Sequence, residues 1–187
     1  MALTKLGPGA FPSGSVLQTV SVEEMTSDSY ASSDSSTPRT LMSGSITPTS
    51  TSNKILIFGF VSIGGLYSNH SGVFHYFGVR LKRGSTVIGE TTDLSSATTV
   101  HGGDATGARA MHSVFKDAGY SASRPQSCPF HFTDSPSTTS AVTYNIQGVV
   151  ERDGHTHTLL RNIGGYNYNS DELASGTCQL TLMEIKG

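Results

Sequence analysis

The amino-acid sequence predicts an all-β protein, an antiparallel β-sandwich of jelly-roll-like form. The strongest signal lies in residues 134–148, where a turn at Ser135–Pro136 is followed by strict alternation of apolar with small or amide-bearing residues. Residues 177–187 alternate in the same way. Because a half-buried strand needs a partner on each edge, we expect a sheet around residues 134–148, with residues 177–187 as part of that sheet.

Composition supports this fold class. The chain has 187 residues, of which 35% are hydrophobic, 14% are charged and 21 are glycine. Glycine, serine and threonine disfavour helices, and the length suits one core rather than two. We predict a single β-sandwich domain over residues 15–187. Residues 1–14 contain Pro8 and Pro12, which oppose a helix or a central strand, so they form a predicted extended arm for attachment, or a disordered one.

The remaining elements follow from short apolar runs bounded by turn residues. Besides the two stretches above, the predicted strands cover residues 15–25, 39–46, 54–63, 73–82, 87–89, 111–118 and 155–161. For residues 111–118, one to two helical turns are the alternative to a strand. Residues 26–38 form a predicted loop. Residues 54–63 are apolar on both faces, which predicts a central strand buried on both sides, either within the sandwich or against a partner subunit. The basic pair Lys82–Arg83 is typical of a solvated strand end before a tight turn.

Charge and cysteine content exclude several classes of function. A net charge of −2 offers no basic surface for nucleic acid. Cys128 and Cys178 are too few and too far apart for a disulfide framework or a CxxC-type zinc site. They are expected to be two small buried residues, with a single disulfide between them as the alternative. The N-terminus lacks the apolar run of a signal peptide, and no stretch is long and apolar enough to span a membrane.

Several segments, taken in order, resemble a known family. They are GSVLQTVSV near the start, the polar turn into KILI, RLKRGSTVIG, GDATGARA, DSPSTTSAVTYNIQG and the terminal TLMEIKG. Together they resemble the β-domain of bacteriophage tail-fibre and other virion structural proteins, of the marine and cyanobacterial phage type. The resemblance covers residues 15–187. It implies a sandwich domain in a trimeric appendage without enzymatic activity.

These observations predict a phage virion structural protein, a tail-fibre, tip or other appendage component acting in assembly and host-surface contact. It is expected in the virion after synthesis in the host cytoplasm, and is not expected to be an enzyme or to hold a cofactor. The expected partners are further copies of itself in a homotrimer, other virion proteins through the N-terminal arm, and host surface glycan. A closed oligomer lets a chain of low hydrophobicity bury surface between subunits. Nucleic acid binding and membrane insertion are not expected.

Two histidines form a candidate metal site. His155 and His157 are two residues apart, so on a strand both point to the same face, and neutral imidazole is a common metal ligand. On a threefold axis, three such pairs would supply six nitrogens. The alternative is a solvated turn beside Asp153–Gly154, and within one subunit the pair is too small a ligand set.

A tyrosine- and asparagine-rich loop is the candidate ligand contact. Tyr166, Asn167, Tyr168 and Asn169 combine stacking area with amide hydrogen bonds, which favours sugar or surface recognition. The alternative is a packed loop at a subunit interface. A carbohydrate-binding module is therefore the second functional hypothesis. A polysaccharide hydrolase is a weaker third hypothesis, because most of the acidic residues that could serve it occur in turns. Acyl transfer is not supported either, since the sequence has no GxSxG nucleophile elbow.

Overall fold

The computed structural model describes residues 10–32, 39–67, 74–88, 112–118, 126–150, 157–162 and 176–187. Every regular element in those ranges is a strand. The eleven strands are β1 (Val16–Glu24), β2 (Asp28–Ser32), β3 (Arg39–Ile46), β4 (Lys54–Tyr67), β5 (Phe74–Arg83), β6 (Thr86–Ile88), β7 (His112–Ala118), β8 (Gln126–Asp134), β9 (Val142–Val150), β10 (His157–Arg161) and β11 (Cys178–Ile185). The segment GDATGARA and residues 1–9 of the predicted arm lie outside the described ranges.

The strands form two antiparallel sheets. Sheet A has six strands in the order β1-β11-β4-β10-β2, with β8 on the opposite edge of β4. Sheet B has five strands in the order β3-β9-β5-β6, with β7 also paired to β5. Four neighbouring strands of sheet A are therefore β1, β11, β4 and β8, and four of sheet B are β3, β9, β5 and β7. The first strand of the chain, β1, lies beside the last, β11. This is the arrangement of a jelly roll, so the predicted fold class is confirmed.

The stretch that anchors the prediction is β9. It is paired on one edge by β3 and on the other by β5, and Val142, Tyr144 and Ile146 point inward and are buried. The prediction that residues 177–187 join this sheet is wrong. Both edges of β9 are already occupied, and β11 lies instead in sheet A between β1 and β4. From there it packs across the core, where a Cβ at Gly44 of β3 would lie 3.0 Å from the Cδ2 atom of Leu180.

Two predicted boundaries are also wrong. The expected loop at residues 26–38 contains β2, because β10 offers an edge with which Asp28–Ser32 pairs. The strand predicted to end at residue 63 continues to Tyr67, since Gly64 and Gly65 pair with Leu160 and Leu159 of β10. The strand predicted at residues 111–118 is confirmed in preference to helical turns, and the tight turn predicted after Arg83 is confirmed, because β5 and β6 pair directly across it.

The core lies between the sheets and closes tightly. Its buried apolar members are Leu41, Met42, Ile46, Ile55, Ile57, Val61, Ile63, Val79, Leu81, Cys128, Phe130, Val142, Tyr144, Ile146, Cys178, Leu180 and Leu182. Gly59 permits the close approach of β11, because a Cβ there would lie 2.0 Å from the carbonyl oxygen of Gln179. The two cysteines are buried free thiols, which confirms the first of the two interpretations given above.

Candidate functional site

Two carboxylates face inward from the same cross-strand row of sheet A. Four residues lie directly opposite one another in this row: Gln18 on β1, Glu184 on β11, Ile55 on β4 and Asp134 on β8. Glu184 is fully buried and Asp134 is 7% exposed. Two strand spacings separate their backbones, about 10 Å. A buried carboxylate is costly unless hydrogen bonds satisfy it, so the partners of each one decide its role.

Neutral donors hold the Glu184 carboxylate. Its Oε1 atom accepts hydrogen bonds from the backbone N–H of Thr49 at 2.6 Å, the Thr49 hydroxyl at 2.9 Å and the Asn53 amide at 2.6 Å. Its Oε2 atom accepts one from the Gln18 amide at 2.6 Å. Burial by itself raises the pKa of Glu184, but the bonds from Asn53, Thr49 and Gln18 outweigh it and hold the pKa below its ordinary value. The group is therefore a buried anion without a cation among these partners.

Hydrogen bonds at and beside the Glu184 cluster connect the first and last described segments of the chain. Asn53, which donates to Glu184, accepts a hydrogen bond from the backbone N–H of Gly187 at 3.1 Å. Lys186 donates its backbone N–H to the Ser15 carbonyl at 2.9 Å, and its ammonium group donates to the Phe11 carbonyl. The turn between β3 and β4, the C-terminal residues and the segment leading into β1 thus meet at one end of the sandwich.

A cation holds Asp134 instead. The Arg83 guanidinium lies 2.9 Å from Oδ1 and 3.0 Å from Oδ2 of Asp134, and the Tyr144 hydroxyl donates to Oδ2 at 2.7 Å. Burial, and then the bond to Asp134, raise the pKa of Tyr144, which stays neutral. The prediction that Arg83 is only a solvated strand end is wrong, because its side chain joins β5 to the end of β8.

A third polar cluster lies at the opposite end of β4. Arg161 is buried and donates to the Leu41 carbonyl at 2.6 Å, while its guanidinium lies 3.8 Å from Glu24. The neighbouring Asn162 has a positive φ of 58° and accepts a hydrogen bond from the Cys178 thiol at 3.0 Å. Burial raises the pKa of that thiol, so it is an inert group rather than a nucleophile.

In the described part of the chain these clusters join strands and turns, and the cavity between β5, β8 and β9 is small. Within the described ranges, no three His, Cys, Asp or Glu side chains come together as metal ligands. A cavity between β5, β8 and β9, lined by Leu81, Phe130 and Ile146 among others, has a volume of about 10 Å³, which one water would fill. The described part of the chain also has no helix long and apolar enough to cross a membrane.

The outer face of sheet A carries a stripe of apolar side chains. Leu56, Phe58 and Phe60 alternate outward along β4, and Met183 and Ile185 flank them on β11. All five are half-buried, whereas the inward side chains of Ile55, Ile57, Val61 and Ile63 on β4 are fully buried. The described residues therefore fully bury only the inner side of the strand that the sequence predicts to be buried on both sides. We call these five residues the sheet A stripe.

The outer face of sheet B is polar instead. The Ser43 hydroxyl donates to the Asn145 amide oxygen at 2.7 Å, and Ser45 lies 2.8 Å from the Thr143 hydroxyl. Gln147 accepts a hydrogen bond from Arg80 at 2.9 Å. Paired hydroxyl and amide groups thus cover the outer surface of β3, β9 and β5, and we call them the sheet B ladder.

The residues predicted as sites are only partly within the described chain. Tyr166, Asn167, Tyr168, Asn169 and His155 lie outside the described ranges. His157 begins β10, where its backbone pairs with Ser32 and Tyr67. Sequence reasoning assigned no role to Glu184, although its position in an otherwise apolar alternating set was the signal that could have revealed a buried acid. The role of Asp134 was hidden by the turn residues that follow it.

Comparison with known proteins finds few similarities. No protein-family model matches the chain, and no curated protein does. Among solved structures, the infectious bursal disease virus Gx strain matches with 13% identity and a TM-score of 0.39, over 100% of this chain and 47% of that one.

Two further structures match at a similar level. The VP2 subviral particle of infectious bursal disease virus gives 13% identity and a TM-score of 0.41 over 100% of this chain and 42% of that one. The structure of T=1 particles derived from infectious bursal virus gives 12% identity and a TM-score of 0.41 over 100% of this chain and 41% of that one. The chain spans less than half the length of those chains. TM-scores below 0.5 establish neither family nor role, so function is argued below from this chain's own residues.

Proposed function

We propose that this chain is a structural component of a virus particle, specifically a tail-fibre, tip or other appendage protein of a bacteriophage. It acts through assembly and contact with the host surface rather than through catalysis. Jelly-roll sandwiches occur among capsid proteins and lectins, which is an analogy of fold and not of site. The ordered segments described under Sequence analysis support the phage appendage in particular.

The sheet A stripe is the observation that carries the proposal. Phe58, Phe60 and Met183 are large apolar side chains that are half-buried on the outer face of sheet A, and a contiguous apolar patch that is not fully covered is a candidate interaction surface. The inward side of the same sheet is already closed by its own core. Assembly into a particle would cover the part of the stripe that the described residues leave exposed.

We propose that three copies supply that cover in a homotrimer. The exposed Glu23 lies at one end of the stripe, where it pairs with Gln179, and the exposed Lys54 lies at the other end, where it pairs with Ile185. A head-to-tail contact around a threefold axis brings the acidic end of one copy to the basic end of the next, and the ring closes. The N-terminal arm then remains for other virion proteins.

Light scattering on the purified chain tests assembly, and mass spectrometry of purified particles tests location. We expect a mass in multiples of three times the 19.7 kDa of one chain, and the chain among the proteins of intact virions. A single-chain mass at micromolar concentration would remove the homotrimer. Absence from purified particles would remove the virion role whatever the oligomeric state.

A second candidate function is recognition of host glycan, which the sheet B ladder favours. Its hydroxyl and amide groups, with Asn145 and Gln147 at the centre, offer donors and acceptors to a sugar. The predicted contact at Tyr166 and Tyr168 is a separate way to bind the same class of ligand. Glycan-array binding lost in Asn145→Ala with Gln147→Ala would place recognition on the ladder, and loss in Tyr166→Ala with Tyr168→Ala would place it on the loop. No binding at high valency would leave assembly alone.

A further inference from the structure

Charged side chains are divided unequally between the two sheets. The acidic residues whose side chains the structure describes all lie on strands of sheet A, and they are Glu23, Glu24, Asp28, Asp134 and Glu184. The described side chains that the register places on the outer face of sheet B are Thr40, Ser43, Ser45, Arg80, Lys82, Val87, Thr143, Asn145 and Gln147. This second set contains two cations and no acid. The described outer face of sheet B is therefore basic, although the whole chain has a net charge of −2.

The two cations of this face lie beside the two amides of the sheet B ladder. Across the β5–β9 pair, Lys82 is directly opposite Asn145, and Arg80 is directly opposite Gln147. Facing residues are about 5 Å apart, and successive outward residues of one strand are about 7 Å apart. The face thus repeats one unit, an amide with a cation beside it, twice along β9.

Hydrogen bonds within the face hold both amides in place. Asn145 accepts one from a serine hydroxyl of β3 at 2.7 Å and donates to the Gly84 carbonyl at 3.3 Å. Gln147 accepts one from Nε of Arg80 at 2.9 Å and donates to the Thr40 hydroxyl at 3.3 Å. Because an amide has two N–H groups and two lone pairs, each keeps a donor and an acceptor for a ligand. Groups that are already held lose little conformational entropy on binding.

We propose that the outer face of sheet B binds an acidic polysaccharide, whose sugar units carry carboxylate or sulfate groups. This rests on the glycan recognition proposed above and names the class of glycan. The amides of Asn145 and Gln147 bind sugar hydroxyls, which both donate and accept, and the acidic groups lie beside Lys82 and Arg80. Hydrogen bonds between charged groups are stronger than neutral ones, so the cations select acidic sugars over neutral ones.

The chemistry of this face favours a saccharide over nucleic acid. Proteins that bind single-stranded nucleic acid stack its bases on aromatic side chains, and binding to a duplex depends on many Lys and Arg contacts with phosphate. The described outward side chains of sheet B include no aromatic ring and only two cations. Their amide and hydroxyl groups instead match the hydroxyl groups of a sugar.

Surface plasmon resonance tests the class of glycan, with the full chain immobilised and oligosaccharides in solution. The measured affinity is then that of one site and does not depend on the homotrimer. The probes are two matched pairs, namely oligogalacturonate with its carboxyl-reduced form and a sulfated oligosaccharide with its desulfated form. We expect at least one acidic probe to bind about tenfold or more tightly than its neutral counterpart. Added salt should reduce this preference, because it screens charges that solvent reaches.

Removal of one cation tests the site itself. Lys82→Gln should weaken binding of the preferred acidic probe about fivefold, the effect of losing one partly exposed ion pair. Lys54→Gln removes the same charge from an exposed position of sheet A, and this matched control should bind as the wild type does. Asn145→Ala with Gln147→Ala should abolish binding of both members of the preferred pair.

The possible failures of these tests are distinguishable. Equal affinity for the acidic and neutral members of both pairs, or equal effects of Lys82→Gln and Lys54→Gln, would overturn the acidic class and leave glycan recognition standing. Binding of none of the four probes would overturn glycan recognition as well. Equally tight binding of a single-stranded DNA oligonucleotide would show general attraction of polyanions, and would also overturn the proposal.

Discussion

The two sheets of the sandwich distribute polarity in opposite ways. Sheet B follows the ordinary rule for an antiparallel sheet that faces water on one side, with apolar side chains inward and the ladder of hydroxyl and amide groups outward. Sheet A has two carboxylates, Glu184 and Asp134, in an inward row and the sheet A stripe outward. The inward acids join turns and strand ends through hydrogen bonds, and the outward stripe is only partly covered by the described residues. Sheet A is therefore the sheet on which we propose that copies assemble.

The largest expected effect comes from placing the same negative charge on the outer face of each sheet in turn. Phe58 on sheet A and Asn145 on sheet B are both half-buried and point outward. We expect Phe58→Glu to abolish the threefold contact, because a central aromatic residue of an interface contributes about 2 kcal/mol or more to binding. Light scattering would show the mass falling to that of one chain.

Asn145→Glu is the matched control for that experiment and should leave the mass unchanged. Both variants should keep a β-rich circular dichroism spectrum, since neither side chain lies in the core. Equal loss of mass in the two variants would mean that the two faces do not differ in the way described.

The inward side of sheet A can be tested by removing one negative charge. Glu184→Gln keeps the shape but turns one acceptor into a donor beside groups that already donate. Loss of a hydrogen bond to a buried charged group lowers the free energy of unfolding by about 2 kcal/mol. Urea denaturation measures this change, and Glu23→Gln, at an exposed position of the same sheet, should change it by much less. Equal effects would show that the Glu184 cluster has no special role.

Acid should weaken the same cluster through proton binding. The pKa of Glu184 is lower in the folded chain than its ordinary value of 4.5. The unfolded state therefore binds the proton more readily, and the stabilisation present above pH 4.5 is lost as the pH falls through the lowered pKa. Thermal unfolding at a series of pH values should show a steeper acid loss in wild type than in Glu184→Gln. Parallel curves would contradict this assignment.

The smallest expected effect belongs to the sheet B ladder. The Ser43–Asn145 hydrogen bond is exposed, and an exposed cross-strand pair contributes about 0.5 kcal/mol. A double-mutant cycle with Ser43→Ala and Asn145→Ala should give a coupling free energy of that size in urea denaturation. A coupling several times larger would mean that the ladder, and not only the core, holds sheet B together.

Much of the fold could be predicted from local pattern. The inward alternation of Val142, Tyr144 and Ile146 is visible in the sequence, because burial of one strand face imposes a period of two. Partner choice was not visible, since any strand with an apolar face can join either sheet. The placement of β11 opposite β9, rather than beside it, depends on which edges β3 and β5 occupy. The β2 strand was missed because its pairing with β10 is long-range and its residues favour loops.

The polar clusters were harder to predict than the strands. Glu184 was visible as an acid among inward positions, but its donors Gln18, Thr49 and Asn53 come from distant segments that only the fold brings together. Arg83 and Asp134 are 51 residues apart in sequence. No local pattern marks such a pair.

Oxidative footprinting of the assembled protein tests most directly whether copies meet at the sheet A stripe. Met183 is half-exposed on the outer face of the single chain and reacts readily when uncovered. We expect Met183 to be oxidised much more slowly in assembled wild type than in Phe58→Glu, while the oxidation of Met42 in the core is the same in both. Equal oxidation of Met183 in the two proteins would contradict the proposal that sheet A is the assembly surface.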